Sequence, residues 1–382
     1  MGDRVRYRRA VRVHPRRGIS PGLTLTAVPW AAQGRFTADD VDPGDLLAYH
    51  TGALYPQDAA SQVPVVLLDP RPGEIIIDAC AAPGSKSTQI GLALADDGLL
   101  VCCDASAPRR RVLAENLARQ GITCAIVTQM PIERMPAEVA DAVLVDAPCS
   151  GHVERSERQV ARMALRQVEL LHEAAALVRP GGRIVYSTCT PYRGENEGVI
   201  EAFLATHLEW EVSPATLPGT DTDQAGLGGI RLSPERQQTE PFFAIRLQRR
   251  GSGLAGGFAG TTPIPEPLPW LPGLNAWKRG NAWFCGSPQV AACALPSEAR
   301  AMVVAHGTQL EPWGAQLLID RGAACEQIEH ALACSLWAGE TIEQALPGAA
   351  LVRTFEGLPL GQLDASGRRL ALPSRLFRSG VR

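Results

Sequence analysis

Lysine is almost missing from this sequence. Two lysines, Lys86 and Lys278, stand in a chain of 382 residues that otherwise draws its positive side chains from arginine. A lysine-rich solvated surface is thereby excluded, and the lysine inside "PGSKST" is unlike ordinary surface filler. Long apolar runs are missing too. None approaches the 18 residues or so of a membrane-spanning helix, and the basic start "MGDRVRYRRAVRVHPRR" is not followed by the apolar region of a signal peptide. The expected location is cytoplasmic, with no membrane partner. The ten cysteines show no CxxC pairing. In a reducing compartment such scattered thiols form neither disulfides nor a structural zinc site, so no metal is expected and most read as small core hydrophobes. The phosphate-loop spacing GxxxxGK[ST] and the dinucleotide fingerprint GxGxxG are both lacking, which makes ATP and NAD poor first choices. No internal repeat is evident.

What is present is globular: 45% apolar and 20% charged residues, in a chain long enough for one large core and a smaller one. A net charge of -3 gives no global argument for a polyanion partner, but residues 1–17 carry seven arginines against the single acid Asp3. That stretch reads either as a phosphate-contacting patch or as a solvated terminus or strand with arginines on one face.

From about residue 65, apolar strands alternate with helical patterns. "EIIIDACAA" (74–82) reads as a strand, "SKSTQIGLALA" (85–95) as a helix and "GLLVCCD" (98–104) as the next strand. "APRRRVLAENLARQG" (helix), "ITCAIVTQ" and "DAVLVDAP" (strands), a helix from about Glu157 to Val178 and "GRIVYSTC" (strand) follow. Near-continuous apolar strands separated by helices predict an α/β, doubly wound, mostly parallel Rossmann-like sheet with its ligand beyond the carboxyl ends of the strands. Asp78, Asp104, Asp146 and Cys189 all fall there. The expected organisation is a basic lead-in over 1–64, the sheet domain over 65–250, a Gly/Pro-rich linker over 251–272 and a smaller C-terminal α+β domain over 273–382. In that tail "RAMVVAHG", "GAQLLID" and "ALVRTFEG" read as strands and the region of "CEQIEHALACSLW" as helical.

Four stretches carry chemistry. "DACAAPGSKST" joins a strand to a helix through small residues and Gly84, a turn suited either to a nucleotide-like cofactor at the helix amino terminus or to a plain connector. Asp104 ends the next strand, where a carboxylate either receives a ribose diol or caps the following helix. "VLVDAPCSG" brings Asp146, Pro148 and Cys149 to a strand end, and "IVYSTCTP" brings Cys189 to another. Two thiols beside an acid would share one crevice; either cysteine alone is equally consistent with core packing.

Taken in order, "DACAAPGSKSTQI", "DAPCSG", "YSTCTPYRGENEGVI" and "RLSPERQQTEPFFAIRL" resemble the Nol1/Nop2/Sun family of S-adenosylmethionine-dependent RNA cytosine-5 methyltransferases. Within it the chain is similar to the bacterial branch acting on small-subunit (16S) ribosomal RNA. "HTGALYPQDAASQVPVVLLDPRPGE" resembles the segment before that branch's cofactor motif, and "TQLEPWGAQLLI", "WAGETIE" and "GLPLGQLDASGRRLALPSRLFR" resemble its PUA-like RNA-binding domain. The resemblance implies S-adenosyl-L-methionine as cofactor, held by Cys80, Ala81, Ala82, Pro83, Gly84, Ser85, Lys86, Asp104, Arg109, Gln129 and Asp146. It implies Cys189 as nucleophile, Cys149 in product release, and Asp146 and Lys86 as further catalytic residues, Lys86 by adding positive charge that depresses a thiol pKa or, alternatively, by hydrogen bonding within the helix turn. The implied partner is RNA, as 16S rRNA or the small subunit, with the target cytosine unpaired or flipped out and the protein a monomer. Trp270, Trp277 and Trp283 stack on bases or pin domains together.

Several positions depart from the family pattern. His152-Val153 replaces a glutamate or threonine followed by glycine, Gln129 stands about where many relatives carry an adenine-contacting aspartate, and Pro234-Glu235 stands for a Pro-His pair. The lead-in is also short for a full amino-terminal RNA-binding domain. The alternatives are a transfer RNA methyltransferase of the same family, or a non-catalytic RNA-binding ribosome-assembly factor. DNA methylation is disfavoured, since that chemistry uses the "PC" cysteine without a second "STC" cysteine.

Overall fold

β-Branched and aliphatic runs of four to seven residues set the strand positions, and which faces they cover sets the layers. The computed structural model describes residues 7–256, apart from 20, 39–40, 153 and 224, and parts of 275–371. The first strands, β1 (Ala10–Val13), β2 (Leu25–Val28), β3 (Ala31–Thr37) and β4 (Leu54–Pro56), form an antiparallel sheet in the order β2-β3-β1-β4. Short helices α1 (Leu47–His50) and α2 (Val63–Leu68) lead to the central sheet.

That sheet holds β5 (Ile75–Asp78), β6 (Leu99–Cys103), β7 (Ala125–Thr128), β8 (Ala140–Asp146), β9 (Val178–Thr188), β10 (Trp210–Val212), β11 (Asp221–Thr222), β12 (Ile230–Leu232) and β13 (Phe242–Arg249). The order is β11-β12-β13-β9-β8-β5-β6-β7, with β10 on β13. Strands β5 to β9 pair in parallel, and helices α3 (Ser85–Leu94), α4 (Ala107–Arg119), α5 (Glu157–Leu177) and α6 (Glu197–Leu204) belong to this half. Every residue of β6 and β7 is buried, as expected of parallel strands covered on both faces.

The doubly wound Rossmann-like sheet expected from the sequence is therefore present, with two corrections. Its parallel part is five strands, and β10 to β13 form an antiparallel extension whose apolar runs look the same in sequence. The strand expected over 74–82 stops at Asp78, because the small residues after it turn away to start α3.

The basic amino end needs a larger correction. Arg12 and Arg17 are 1% and 5% exposed, so neither reaches a phosphate. Arg12 donates to Gln57, to the Ser85 carbonyl and to Thr88 Oγ1, and Arg17 donates to the carbonyls of Thr51 and Arg119 and pairs with Asp320. These arginines are internal crosslinks between the lead-in and the rest of the molecule.

The tail contains the antiparallel strands β14 (Asn275–Arg279), β15 (Ala282–Gly286), β16 (Met302–His306) and β17 (Gln309–Leu310). A second sheet has β18 (Glu326–Ile328) parallel to β19 (Leu351–Thr354) and β19 antiparallel to β20 (Pro359–Gln362), with a helix over His330–Trp337. "GAQLLID", read as a strand, is helical at 315–316 and 319–320. Most of the expected linker, Trp270 and the side chains of Trp277 and Trp283 lie outside the described residues.

The tail is not a separate ball. Val11, Leu47 and Leu54 share one core with Ile328, Leu336, Trp337, Val352 and Leu360. Val290 joins the core beneath the central sheet, and Ser287 Oγ donates to the Gly98 carbonyl. No helix of the described residues is long and apolar enough to cross a membrane.

Candidate active site

The carboxyl ends of β5, β6, β8 and β9 converge on one crevice, because parallel strands in a twisted sheet all deliver their following loops to the same edge. At the end of β5, the turn through Cys80 to Ser85 is held from behind by α4. Arg109 donates to the Ala82 carbonyl, and Asn116 Nδ2 donates to the Pro83 carbonyl at 2.9 Å. Gly84 has φ +110°, and a Cβ there would lie 2.9 Å from Leu113 Cδ1, so the turn requires glycine. The Cys80 thiol is pushed up to about 12 by burial and stays neutral.

Asp104 Oδ1 accepts the Ser106 N–H at 2.8 Å, and its Oδ2 lies 3.3 Å from the exposed Arg109 guanidinium. It caps its own loop with one oxygen and leaves the other to a loosely held partner. Gln129 Oε1 accepts from Arg110 at 3.1 Å. Asp78 is buried: Ser87 Oγ donates to its Oδ2 at 2.7 Å, while Oδ1 has no hydrogen-bond partner among the described residues. Burial raises the Asp78 carboxyl to about 6, with the hydrogen bond from Ser87 pulling the other way. A weakly engaged strand-end carboxylate, a glycine turn and an orphaned buried oxygen at β5 fit a nucleoside-bearing cofactor such as S-adenosylmethionine. Among the described residues no group of three or more His, Cys, Asp or Glu could hold a metal.

Beside this turn, Lys86 Nζ donates to Asp146 Oδ2 at 2.7 Å, and Ser187 Oγ donates to Asp146 Oδ1 at 2.7 Å. Lys86 also lies 5.5 Å from the centre of the Phe242 ring. Its side chain is 10% exposed against 29% for Asp146, so the pair opens to the crevice on the carboxylate side. The two loop cysteines meet next to it, with Cys149 Sγ and Cys189 Sγ 3.3 Å apart and both half-buried. Two thiols at that distance share a proton. The hydrogen bond from Cys189 lowers Cys149 to about 7, helped by backbone N–H groups of Gly151 and Cys189, and the same bond pushes Cys189 well up. These ionisations belong to the pair. The thiol shift thus has an origin other than the one expected: Lys86 is committed to Asp146, and the second sulfur supplies the effect.

The structure brings Lys86, Asp146, Cys149 and Cys189 together and leaves Arg109 and Gln129 on the exposed rim. His152 Nε2 lies 3.5 Å from Glu240 Oε2, and Val153 is outside the described residues. A cavity of about 530 Å³ opens next to the Cys189 loop, lined by Pro191, Arg231, Glu235, Arg236 and Pro241 among others. Sequence reasoning missed Glu195, Asn196 and Gln167, all buried behind the two cysteine loops. The signal available was the run of polar residues in "RGENEG", too polar for a core and too close to Cys189 to be incidental.

Comparison with known proteins fits this geometry. Residues 65–248 match the family described as 16S rRNA methyltransferase RsmB/F. A tRNA (cytosine(49)-C(5))-methyltransferase of Pyrococcus abyssi is 32% identical over 250 residues, which cover 59% of this chain and 80% of that protein. The chain belongs to the RNA cytosine-5 methyltransferase family. Within this family, a ribosomal RNA small subunit methyltransferase F of Escherichia fergusonii is 34% identical over 250 residues, 60% of this chain. The match spans about half the length of that relative, 52%. Among solved structures, a methyltransferase homologue from Pyrococcus horikoshii is 28% identical with a TM-score of 0.58, covering 64% of this chain and 87% of its own. The matched region contains the Cys80–Lys86 turn, Asp104, Asp146 and both cysteine loops.

Proposed function

We propose that the protein methylates carbon 5 of cytosine in RNA, with 16S ribosomal RNA as substrate, through a covalent adduct between Cys189 and carbon 6. The observation that carries this reading is the 3.3 Å approach of Cys149 and Cys189 beside the Lys86–Asp146 pair. S-adenosylmethionine, when bound, supplies the methyl group as the electrophilic carbon of a sulfonium. The Cys80–Ser85 turn, Asp104, Arg109 and Gln129 would hold it.

The remaining chemistry belongs to the chain. Carbon 5 of cytosine is a weak nucleophile until a thiolate adds at carbon 6 and pushes electron density across the ring. Cys189 adds at carbon 6 while its proton passes to Cys149, the more acidic partner of the pair. Asp146, oriented by Lys86 and Ser187, hydrogen-bonds the N3/N4 edge of the base and, in its protonated form, donates to N3 and stabilises the adduct there. Once Cys149 has released its proton to solvent, it takes the carbon 5 proton, and the bond from carbon 6 to the Cys189 sulfur breaks to return the thiolate. A paired cytosine cannot reach sulfur in this crevice, so the base must be unpaired or flipped. The tail, read as a PUA-like RNA-binding domain over 273–382, grips flanking RNA by shape and phosphate contacts. The protein acts as a cytoplasmic monomer.

A transfer RNA substrate is the second reading, favoured by the 80% coverage of the Pyrococcus abyssi relative. Bisulfite sequencing of ribosomal and transfer RNA from cells with and without the gene separates the two. Cytosines in 16S rRNA that lose protection without the gene, and regain it with the intact protein but not with Cys189→Ala, are the expected result. Unchanged rRNA with altered tRNA moves the substrate, and no change in either RNA removes the enzymatic reading.

A further inference from the structure

Behind the two reactive loops lies a pair of adjacent side chains that no step of the chemistry uses. Glu195 is fully buried at the end of a short turn over Arg193–Glu195, and Asn196, also fully buried, caps α6. Glu195 Oε2 accepts the Ser150 N–H at 3.0 Å and the Gln167 amide at 2.9 Å, and the same amide donates to the Pro148 carbonyl at 2.9 Å. The residues on both sides of Cys149 are therefore tied to one carboxylate. Asn196 does the same for Cys189: Thr188 Oγ1 donates to its Oδ1, and its Nδ2 donates to the Thr190 carbonyl at 2.9 Å. Tyr186 OH fixes the Glu195 carbonyl at 2.6 Å, and Glu197, the next residue, is locked to Arg231 by two hydrogen bonds of 2.9 and 2.8 Å.

Glu195 forms no ion pair among the described residues, and its Oε1 is buried without a partner. A buried, unpaired carboxylate is costly, and a fold retains one where its acceptor capacity is needed. We propose that Glu195 and Asn196 are positioning residues that set the distance between the two thiols, each stapling one cysteine loop to the start of α6. Because the two staples are consecutive in the chain, Cys149 and Cys189 cannot move apart without breaking one of them. The inference rests on the reading of these thiols as reaction partners, but its principal test requires no RNA.

Full-length protein, without RNA or methyl donor, is alkylated with iodoacetamide across neutral pH, and the Cys149 and Cys189 peptides are quantified by mass spectrometry. The intact protein should show a first thiol ionisation near 7. In Glu195→Ala and Asn196→Ala the thiols separate, the ionisation moves toward the ~8.5 of an isolated thiol, and alkylation at pH 7 slows about tenfold. Phe203→Leu, a core change in α6, is the control for general loosening: it lowers the melting temperature and leaves the profile in place. Should either staple variant fail to fold, Thr188→Val and Gln167→Leu cut the same staples from the other side.

Folded staple variants with the intact profile would overturn the proposal, as would a Phe203→Leu profile shifted equally far. With RNA and methyl donor, Asn196→Ala should form the covalent adduct about a hundredfold more slowly, since small misplacements of a reacting group carry that penalty. Glu195→Ala should form it and release it slowly. If the intact protein methylates no RNA, the functional reading fails while the alkylation profile still decides the positioning.

Discussion

Asp78 illustrates how much a single buried oxygen matters. Its carboxyl is raised to about 6 from the usual 3.8, chiefly by burial. A raised carboxyl is one the fold prefers protonated, so the cost of Asp78 is absent below about pH 3.8, grows as pH rises toward 6 and is constant above. At neutral pH it amounts to about 3 kcal/mol. Asp78→Asn should therefore gain about 3 kcal/mol on the intact protein between pH 4 and pH 7 in urea denaturation, while Ser87 keeps an acceptor. A difference that stays flat across that range would contradict the burial argument. At the neighbouring Asp146, Lys86 and Ser187 each donate to one carboxylate oxygen. Asp146→Asn keeps the shape and removes the charge, and single-turnover methylation should slow by about a hundredfold to a thousandfold with little change in RNA affinity.

At the scale of elements, the junction between β5 and α3 is the tightest constraint. Gly84 sits in the left-handed region, and the space a Cβ would need is filled by Leu113 of α4. Gly84→Ala should cost about 1–3 kcal/mol in thermal or chemical unfolding and weaken cofactor binding, measured by calorimetry, because a side chain at φ +110° is strained and the new methyl group meets the Leu113 side chain. Adding Leu113→Ala to that variant should recover part of the binding loss, since it opens space for the new methyl group. Independent, additive effects of the two changes would show that the turn and α4 are not coupled.

Across the whole molecule, the amino-terminal sheet and the tail are held to the central sheet by shared packing. Trp337 is 1% exposed, lies within one core with Val11 and Leu54, and its ring centre is 6.0 Å from that of His50. Trp337→Ala should destabilise by about 3–5 kcal/mol. Hydrogen exchange should show amides of β1 and β4 losing protection together with those of β18 to β20, although they are some 300 residues away in sequence. Loss confined to the tail would mean that the lead-in is stabilised independently. Arg17, bonded to Thr51, Arg119 and Asp320 at once, supplies the polar counterpart of that shared core.

The alternating apolar runs from residue 65 onward and the strand-end positions of Asp104, Asp146, Cys149 and Cys189 were legible in the sequence, because burial on both faces of a parallel sheet and the polarity of its carboxyl edge leave a local pattern. The motifs of the Gly84 turn and of the two cysteine loops are likewise continuous in the chain. What the sequence could not decide was whatever depends on contacts between distant segments. Seven arginines near the amino terminus look alike in sequence, yet Arg12 and Arg17 are internal crosslinks because of partners tens to hundreds of residues away. The antiparallel strands β10 to β13 have the same apolar signature as the parallel ones, and only pairing distinguishes them. The acidity of the thiol pair arises from a sulfur 40 residues distant, and the staples of Glu195 and Asn196 depend on where α6 begins against the two loops. Local pattern determined the sheet and its reactive edge, whereas the charge, spacing and support of the reactive groups were decided by tertiary packing, since electrostatics and hydrogen bonds act through space rather than along the chain.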